Sequence, residues 1–329
     1  MHGDEVAGQQ RAVQVVERGL VHKAADIIAE RGLVMRAVAI LNPRAGNRTT
    51  AYLPEGAETL ETRGPGHATE LTREAIKRGA KTIIAVGGDG TINEVVNGFF
   101  EDEQRIPTDA TLAVIPHGTG SDFSRTLKLP LDGKLAARII QDGEKRFIDV
   151  MKVRYTASDG NPMVRYAVNV VSCGLGGAVA DKVNRSSKAM GAFWTFASAT
   201  LKAALRFSGS HVAVRLDDSK TINATITNVA VGNGQYHGAG MRICPEAIVD
   251  DGLLDVTIVR HISLHQLVRN MPMLYNGKIL SHPRVESYRV KTITADSRET
   301  VLVEIDGEAL GRLPIEIVMI PSAIRVFCR

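Results

Sequence analysis

The stretch that decides the fold is TIIAVGGDGTINEVVNGF, Thr82 to Phe99. Its continuous apolar run, Ile83 to Val86, reads as a strand covered on both faces, and it ends in Gly-Gly-Asp-Gly-Thr. Ile92, Val95, Val96 and Phe99 then fall on one side of a helix for which Thr91 is the expected cap. Gly87, Gly88 and Gly90 let the chain turn sharply and approach a ligand with no Cβ in the way. Strand, glycine turn and helix N-terminus expose N–H groups that favour phosphate. A bare carboxylate at Asp89 would repel that phosphate, and a divalent cation would remove the conflict. Mg2+ prefers one or two carboxylates together with substrate phosphate oxygens, so the turn points to a metal-nucleotide.

Working outward, LAVIPHGTGSDFSRTL repeats the device. Gly118, Thr119, Gly120, Ser121 and Asp122 put flexible backbone, hydroxyls and a carboxylate after a second buried strand. LNPRAGNRT, after the first strand, offers Asn42, Gly46 and Asn47. In open α/β sheets ligands sit at the carboxyl ends of strands, so the three turns imply one shared cleft. Neither a P-loop nor a G-x-S-x-G elbow is present.

From Met35 to Ile140 apolar runs alternate with helical periods, which predicts an α/β domain with a parallel sheet between helices. After Phe147 the pattern changes to period-two runs bounded by Asp, Gly, Asn and Pro, which predicts a mostly antiparallel β domain. The expected divisions are an N-terminal helical extension (1–33), a nucleotide-binding domain (34–146) and a β-rich domain (147–315). In the β half, PEAIVDDGLLDV holds Asp250, Asp251 and Asp255, and VEIDGEAL holds Asp306 and Glu308 at a possible hairpin tip. A carboxylate there could take a proton from an alcohol facing a γ-phosphate, although Asp-Gly is also an ordinary hairpin signal.

Composition narrows the classes. The 329 residues are 44% hydrophobic and 23% charged, as in soluble globular proteins, and long enough for two domains. A net charge of +4, spread along the chain, is compatible with a nucleotide or an anionic lipid surface. Aromatics at 5% argue against the stacking platforms of nucleic-acid binders, so no nucleic-acid partner is expected. Cys173, Cys244 and Cys328 are too few and too scattered for a disulfide framework, which with the absence of a secretory signal favours the cytoplasm. AMGAFWTFASATLKAALRF is interrupted by Lys202, so no transmembrane span is expected and any membrane contact is peripheral.

The motifs GGDGTINEVVNG, PHGTGSDF, VGNGQYHGAGMRICPEAIVDDGLLDV and VEIDGEAL, in this order, resemble the diacylglycerol kinase catalytic family. The likeness is to its bacterial soluble lipid kinases, with sphingosine and ceramide kinases as relatives, and it runs from about Arg36 to Phe327. It implies an NAD-kinase and phosphofructokinase-like first domain, a lipid-substrate second domain and a last strand (316–329) that returns to the first. It implies ATP along Asn42, Thr62, Gly87, Gly88, Asp89, Gly90, Thr91, Asn93, Glu94, Gly118, Thr119 and Asp122, with Asp89 and Asp122 in the metal and phosphate network. It implies a further Mg2+ at Asp251 with Ile248 and Leu253, and a base at Asp306 or Glu308. Two departures stand out: Ser121 replaces the usual Asn, and only about ten residues separate NPRAG from AETLETR, where relatives carry a helix. The unusual N-terminal helix, Val13 to Glu30, is expected to cover that face. The resulting expectation is a Mg2+-dependent lipid kinase using ATP. The alternatives are a kinase for a soluble polyol or NAD, and a nucleotide sensor without turnover.

Overall fold

The structure, a computed structural model, describes residues 37–45, 53–117, 121–184 and 207–328. The expected N-terminal helix, the turn residues Gly46, Asn47, Gly118 and Thr119, and the stretch from Ser186 to Arg206 lie outside them.

The first half runs β1 (Ala37–Leu41), β2 (Glu58–Glu61), α1 (His67–Lys77), β3 (Thr82–Gly87), α2 (Asp89–Asn97), β4 (Thr111–Pro116), α3 (Asp122–Thr126) and α4 (Gly133–Asp142). The strands pair in the order β2, β1, β3, β4, parallel throughout. Every residue of β3 is buried, which is why its sequence shows no alternation. Its two faces serve different layers. Ile83 and Ala85 pack with Ile92, Val95 and Phe99 of the α2 side, while Ile84 and Val86 pack toward Ala137 and Ile140 of α4. Each isoleucine so buried contributes roughly 1.5–3 kcal/mol.

The second half runs β5 (Glu144–Ala157), β6 (Pro162–Ala167), β7 (Val170–Gly174), α5 (Leu175–Asn184), β8 (Ser210–Leu216), β9 (Lys220–Gly232), β10 (Leu254–Arg260), α6 (Leu264–Tyr275), β11 (Val285–Val290), β12 (Thr292–Asp296), β13 (Leu302–Ile305) and β14 (Glu308–Cys328). Apart from the pairing of β14 with β4, these strands pair antiparallel. In β8 buried and exposed residues alternate strictly, the half-covered strand that its sequence period predicts. Met151, Val171, Val214, Ile226, Val256, Val303 and Ile317 form the core of this half. Helix α6 opens on a capping box in which Ser263 and Gln266 satisfy each other's backbone N–H groups.

One strand joins the halves. β14 is 21 residues long and runs antiparallel to β5 and β12, then places Arg325 and Val326 parallel to Thr111 and Leu112 of β4. The fourteen paired strands thus form one connected sheet, ten of them in a single path and four branching from it. No described helix is long and apolar enough to cross a membrane.

Candidate functional site

Asn42 follows β1, the glycine turn closes β3, and Asp122 lies six residues beyond β4, all at the carboxyl edge of the parallel sheet. Asn42 Nδ2 donates to Thr91 Oγ1 at 3.1 Å, tying the first turn to the second. Thr91 is not the helix cap that its sequence position suggested. Helix α2 begins two residues earlier, at Asp89, with Gly88 as its cap residue, and Thr91 packs inside the first turn, where a Cβ on Gly87 would lie 2.4 Å from its hydroxyl. Gly87 is therefore glycine for lack of room. Thr62 uses its backbone, its N–H donating to the Leu41 carbonyl at 2.9 Å.

The charged residues of the glycine turns have protein partners. The Asp89 carboxylate accepts from the N–H groups of Asp122 at 3.1 Å and Phe123 at 3.0 Å, the first turn of α3. A carboxylate at a helix N-terminus satisfies orphan donors and complements the dipole. The acid inside the glycine turn is thus a clamp onto the next helix. Asp122 repeats the device, accepting from the N–H groups of Ala239 at 2.9 Å and Gly240 at 2.8 Å. Burial, and next to it the neighbouring Asp89 charge, push the Asp122 carboxyl up to about 6. Glu94 is a third clamp, its two oxygens accepting from the N–H groups of Gly66 and Ala68 at the start of α1. These acids build the cleft walls.

The Asp306-Gly307-Glu308 turn lies against this cleft, and its two acids differ. Asp306 is 6% exposed and held at φ 47°. Its oxygens accept from the N–H groups of Val168, Asn169 and Val170 and from Asn93 Nδ2, at 2.9 to 3.0 Å. Burial raises its carboxyl to about 6, against the lowering effect of those four donors. Glu308 is more open. Its Oε2 lies 3.3 Å from Arg165 Nη2, and a Cβ added to Gly90 would lie 2.8 Å from its Oε1. That contact brings the end of the sequence onto the glycine turn near its middle. Asn93 completes the join, accepting from Arg165 Nε at 2.7 Å through Oδ1 while donating to Asp306.

Asp251, expected to hold a Mg2+ ion with Ile248 and Leu253, is committed elsewhere. Its Oδ1 accepts from the Leu253 N–H at 3.0 Å, and its Oδ2 is ion-paired with Arg289 Nη2. Arg289 Nε also lies 3.7 Å from Asp255 Oδ2, so one guanidinium already stands between the two acids. Ile248 is a 49% exposed side chain beside them. Among the described residues no group of three or more His, Cys, Asp or Glu could hold a metal. A Mg2+ ion held by the Asp251 carboxylate and the neighbouring carbonyls of Ile248 and Leu253 would share that carboxylate with Arg289.

An apolar cavity opens in the β-rich half. Leu175, Val179, Ile243, Ile262, Leu267 and Leu274 are among its lining, from α5, α6 and the strands beneath them, and His237 lies in its wall. His237 Nε2 is 3.3 Å from Glu304 Oε2, and Glu304 Oε1 accepts from the Gly307 N–H at 2.7 Å. Three hydrogen-bonding groups therefore separate the cavity from the turn that carries Glu308. Arg165, Glu304 and His237 were not found from sequence. Arg165 sits in an ordinary strand pattern, while Glu304 and His237 lie inside the quoted motifs VEIDGEAL and VGNGQYHGAG without being singled out there.

Sequence comparison agrees with this architecture. Residues 36–153 match the diacylglycerol kinase catalytic domain, and residues 169–328 match the YegS C-terminal NAD kinase beta sandwich-like domain. The chain thus carries a match to a diacylglycerol kinase catalytic domain followed by a match to a YegS-type C-terminal domain. A diacylglycerol kinase of Mycobacterium tuberculosis (strain CDC 1551 / Oshkosh) is 29% identical over 303 residues, covering 88% of this chain and 94% of that protein. A diacylglycerol kinase of Staphylococcus carnosus (strain TM300) is 28% identical, covering 88% of each. The crystal structure of a proposed diacylglycerol kinase from Bacillus anthracis str. Sterne superposes with a TM-score of 0.71 at 26% identity, covering 89% of this chain and 97% of that one.

Proposed function

We propose that the chain transfers the γ-phosphoryl group of ATP, taken up with magnesium as the substrate complex, to the hydroxyl of a lipid of the diacylglycerol class. The observation that carries this reading is the placement of Glu308 against Gly90, which sets a carboxylate where an acceptor hydroxyl would face a nucleotide phosphate. The match to that catalytic domain and the names of the relatives supply the kinase chemistry. The apolar cavity in the same half supports an acyl-bearing acceptor over a soluble polyol or NAD.

In this reading the nucleotide lies over the carboxyl ends of β1, β3 and β4, with its phosphates toward the backbone amides of the glycine turn. Asp89 and Glu94 keep that frame rigid by holding helix starts, and Asp122 by holding the turn at Ala239 and Gly240. Glu308 accepts the proton of the lipid hydroxyl as its oxygen attacks the γ-phosphorus and the bond to ADP breaks. Arg165 holds the Glu308 carboxylate in place. Asp306, with four donors on its two oxygens, is the anchor of the turn rather than its base. Catalysis is then mainly positioning and charge placement, as phosphoryl transfer requires.

The test is a transfer assay with labelled ATP on vesicles carrying diacylglycerol, phosphatidylglycerol, ceramide or a sphingoid base, with free glycerol and NAD alongside. Label in a lipid product supports the reading. Label only in glycerol or NAD, or nucleotide binding with no transfer to any of these acceptors, overturns it.

A further inference from the structure

We infer that Arg165 is a catalytic residue of the transfer, meeting the γ-phosphoryl oxygens of ATP with the end of its guanidinium that Asn93 and Glu308 leave open. This assignment rests on the kinase reading above and adds to it the cation that answers the phosphoryl charge.

Five acids surround the glycine turn, and a triphosphate brought there must be held among them. Four are met by backbone N–H groups: Asp89 by Asp122 and Phe123, Glu94 by Gly66 and Ala68, Asp122 by Ala239 and Gly240, and Asp306 by Val168, Asn169 and Val170. The fifth, Glu308, carries Arg165 on its Oε2 at 3.3 Å. Phosphoryl transfer spreads negative charge over three equatorial oxygens, and a fixed cation at that place lowers the barrier without having to reorganise.

Arg165 is mounted on α2, the helix that begins in the glycine turn. Strand β6 pairs with β5 on one side only. On its other side two asparagines of α2, one turn apart, replace a neighbouring strand. The Tyr166 N–H donates to Asn97 Oδ1 at 2.9 Å, and the Tyr166 carbonyl accepts from Asn93 Nδ2 at 2.8 Å and from Asn97 Nδ2 at 2.9 Å. Asn93 Oδ1 then accepts from Arg165 Nε at 2.7 Å. Asn93 lies one helical turn past Gly90, so the guanidinium stands at the first turn of α2, the end whose backbone N–H groups favour phosphate. Glu308 spans the remaining gap, with Oε2 on Arg165 and Oε1 2.8 Å from where a Cβ on Gly90 would be.

These contacts use Nε and one hydrogen of Nη2. Nη1 makes no hydrogen bond among the described residues, and the side chain is 20% exposed, so the end of the fork is open to a ligand. Two N–H donors side by side suit two oxygens of a phosphoryl group. Asn93 is itself buried and bonded to protein at both ends of its amide, so it serves the nucleotide through Arg165. In the transfer, the lipid oxygen bonds to the γ-phosphorus and its proton passes to Glu308. The bond from phosphorus to the β,γ-bridging oxygen breaks, and its electron pair leaves on ADP. Arg165 faces the charge on the γ-oxygens throughout.

The experiment uses the full chain with magnesium. Equilibrium binding of ATP and of ADP, and steady-state transfer from labelled ATP to dioctanoylglycerol, glycerol and NAD, are measured for the wild type, Arg165→Met and Arg165→Lys. Loss of a charge-assisted contact to the γ-phosphate predicts about a tenfold rise in Kd for ATP in Arg165→Met, with Kd for ADP within about twofold of wild type. The same variant should transfer about 10^2 to 10^3 times more slowly. Arg165→Lys, which keeps the charge without the fork, should recover part of both losses. A residue that only positions Glu308 would slow transfer and leave the ratio of ATP to ADP affinity at its wild-type value, and that result overturns the assignment. If Arg165→Met does not fold, a crystal structure of the wild type with magnesium and a non-hydrolysable ATP analogue decides. A guanidinium nitrogen within about 3.2 Å of a γ-oxygen supports the assignment, and one out of reach overturns it. Transfer to glycerol or NAD alone, with the same losses in Arg165→Met, overturns the lipid reading and leaves this one standing. A wild type that binds no nucleotide overturns both.

Discussion

Among single residues, the two acids of the Asp-Gly-Glu turn divide their work by burial. Asp306 holds four donors that would lose their acceptor in a variant, so Asp306→Asn, which turns an NH2 toward backbone N–H groups, should cost about 1–3 kcal/mol in denaturant unfolding. A stability within experimental error of wild type would show that the turn does not depend on this anchor. Asp122 makes a pH prediction. Its folded carboxyl is raised from 3.8 to about 6, so the folded state keeps a proton that the unfolded chain has already released. The stability it contributes is complete below about pH 4 and is lost as pH rises toward about 6. Melting temperature followed from pH 4 to 7 should therefore fall less steeply in Asp122→Asn than in wild type over that window. Identical slopes would remove Asp122 from the account.

Secondary-structure elements are held together here by helix starts that borrow acids from a neighbouring helix, α2. The first N–H groups of helix α3 donate to the Asp89 carboxylate, so Asp89→Ala should destabilise the chain by about 0.5–2 kcal/mol and raise KM for ATP by loosening the cleft. A variant that melts like wild type and binds ATP equally well would contradict the clamp. This role was not legible in the sequence. Periodicity located β3, α2 and β4, because a doubly covered strand and a one-faced helix have different apolar spacing, and it marked the glycine turn as special. What the carboxylate touches depends on a helix thirty-three residues away, and spacing carries no such distance. The same limit applies to Asp251: its partner Arg289 comes from a strand with an ordinary pattern, and spacing does not show that the two meet.

For the whole molecule, β14 makes two chemically distinct halves into one cooperative object. The switch from continuous to alternating apolar runs announced an α/β half and a β half. The sequence-level division into separate stretches could not show that a single strand contributes Ile317 to one core and Ile324 to the other. Ile324 has no exposure, and Ile324→Ala should cost about 2–5 kcal/mol. Because the strand is shared, the loss should move both halves together, giving one calorimetric transition whose van't Hoff and calorimetric enthalpies agree. Two separated transitions would mean that the halves fold independently. Joining them this way also fixes Glu308, the first residue of β14, relative to Gly90.

That placement is the claim on which the rest depends, and single-turnover transfer by Glu308→Gln tests it most directly. With labelled ATP and diacylglycerol vesicles, the variant should bind ATP as wild type does and transfer about 10^2 to 10^4 times more slowly, the contribution of a lost general base. Transfer at the wild-type rate, with ATP binding intact, would contradict the account.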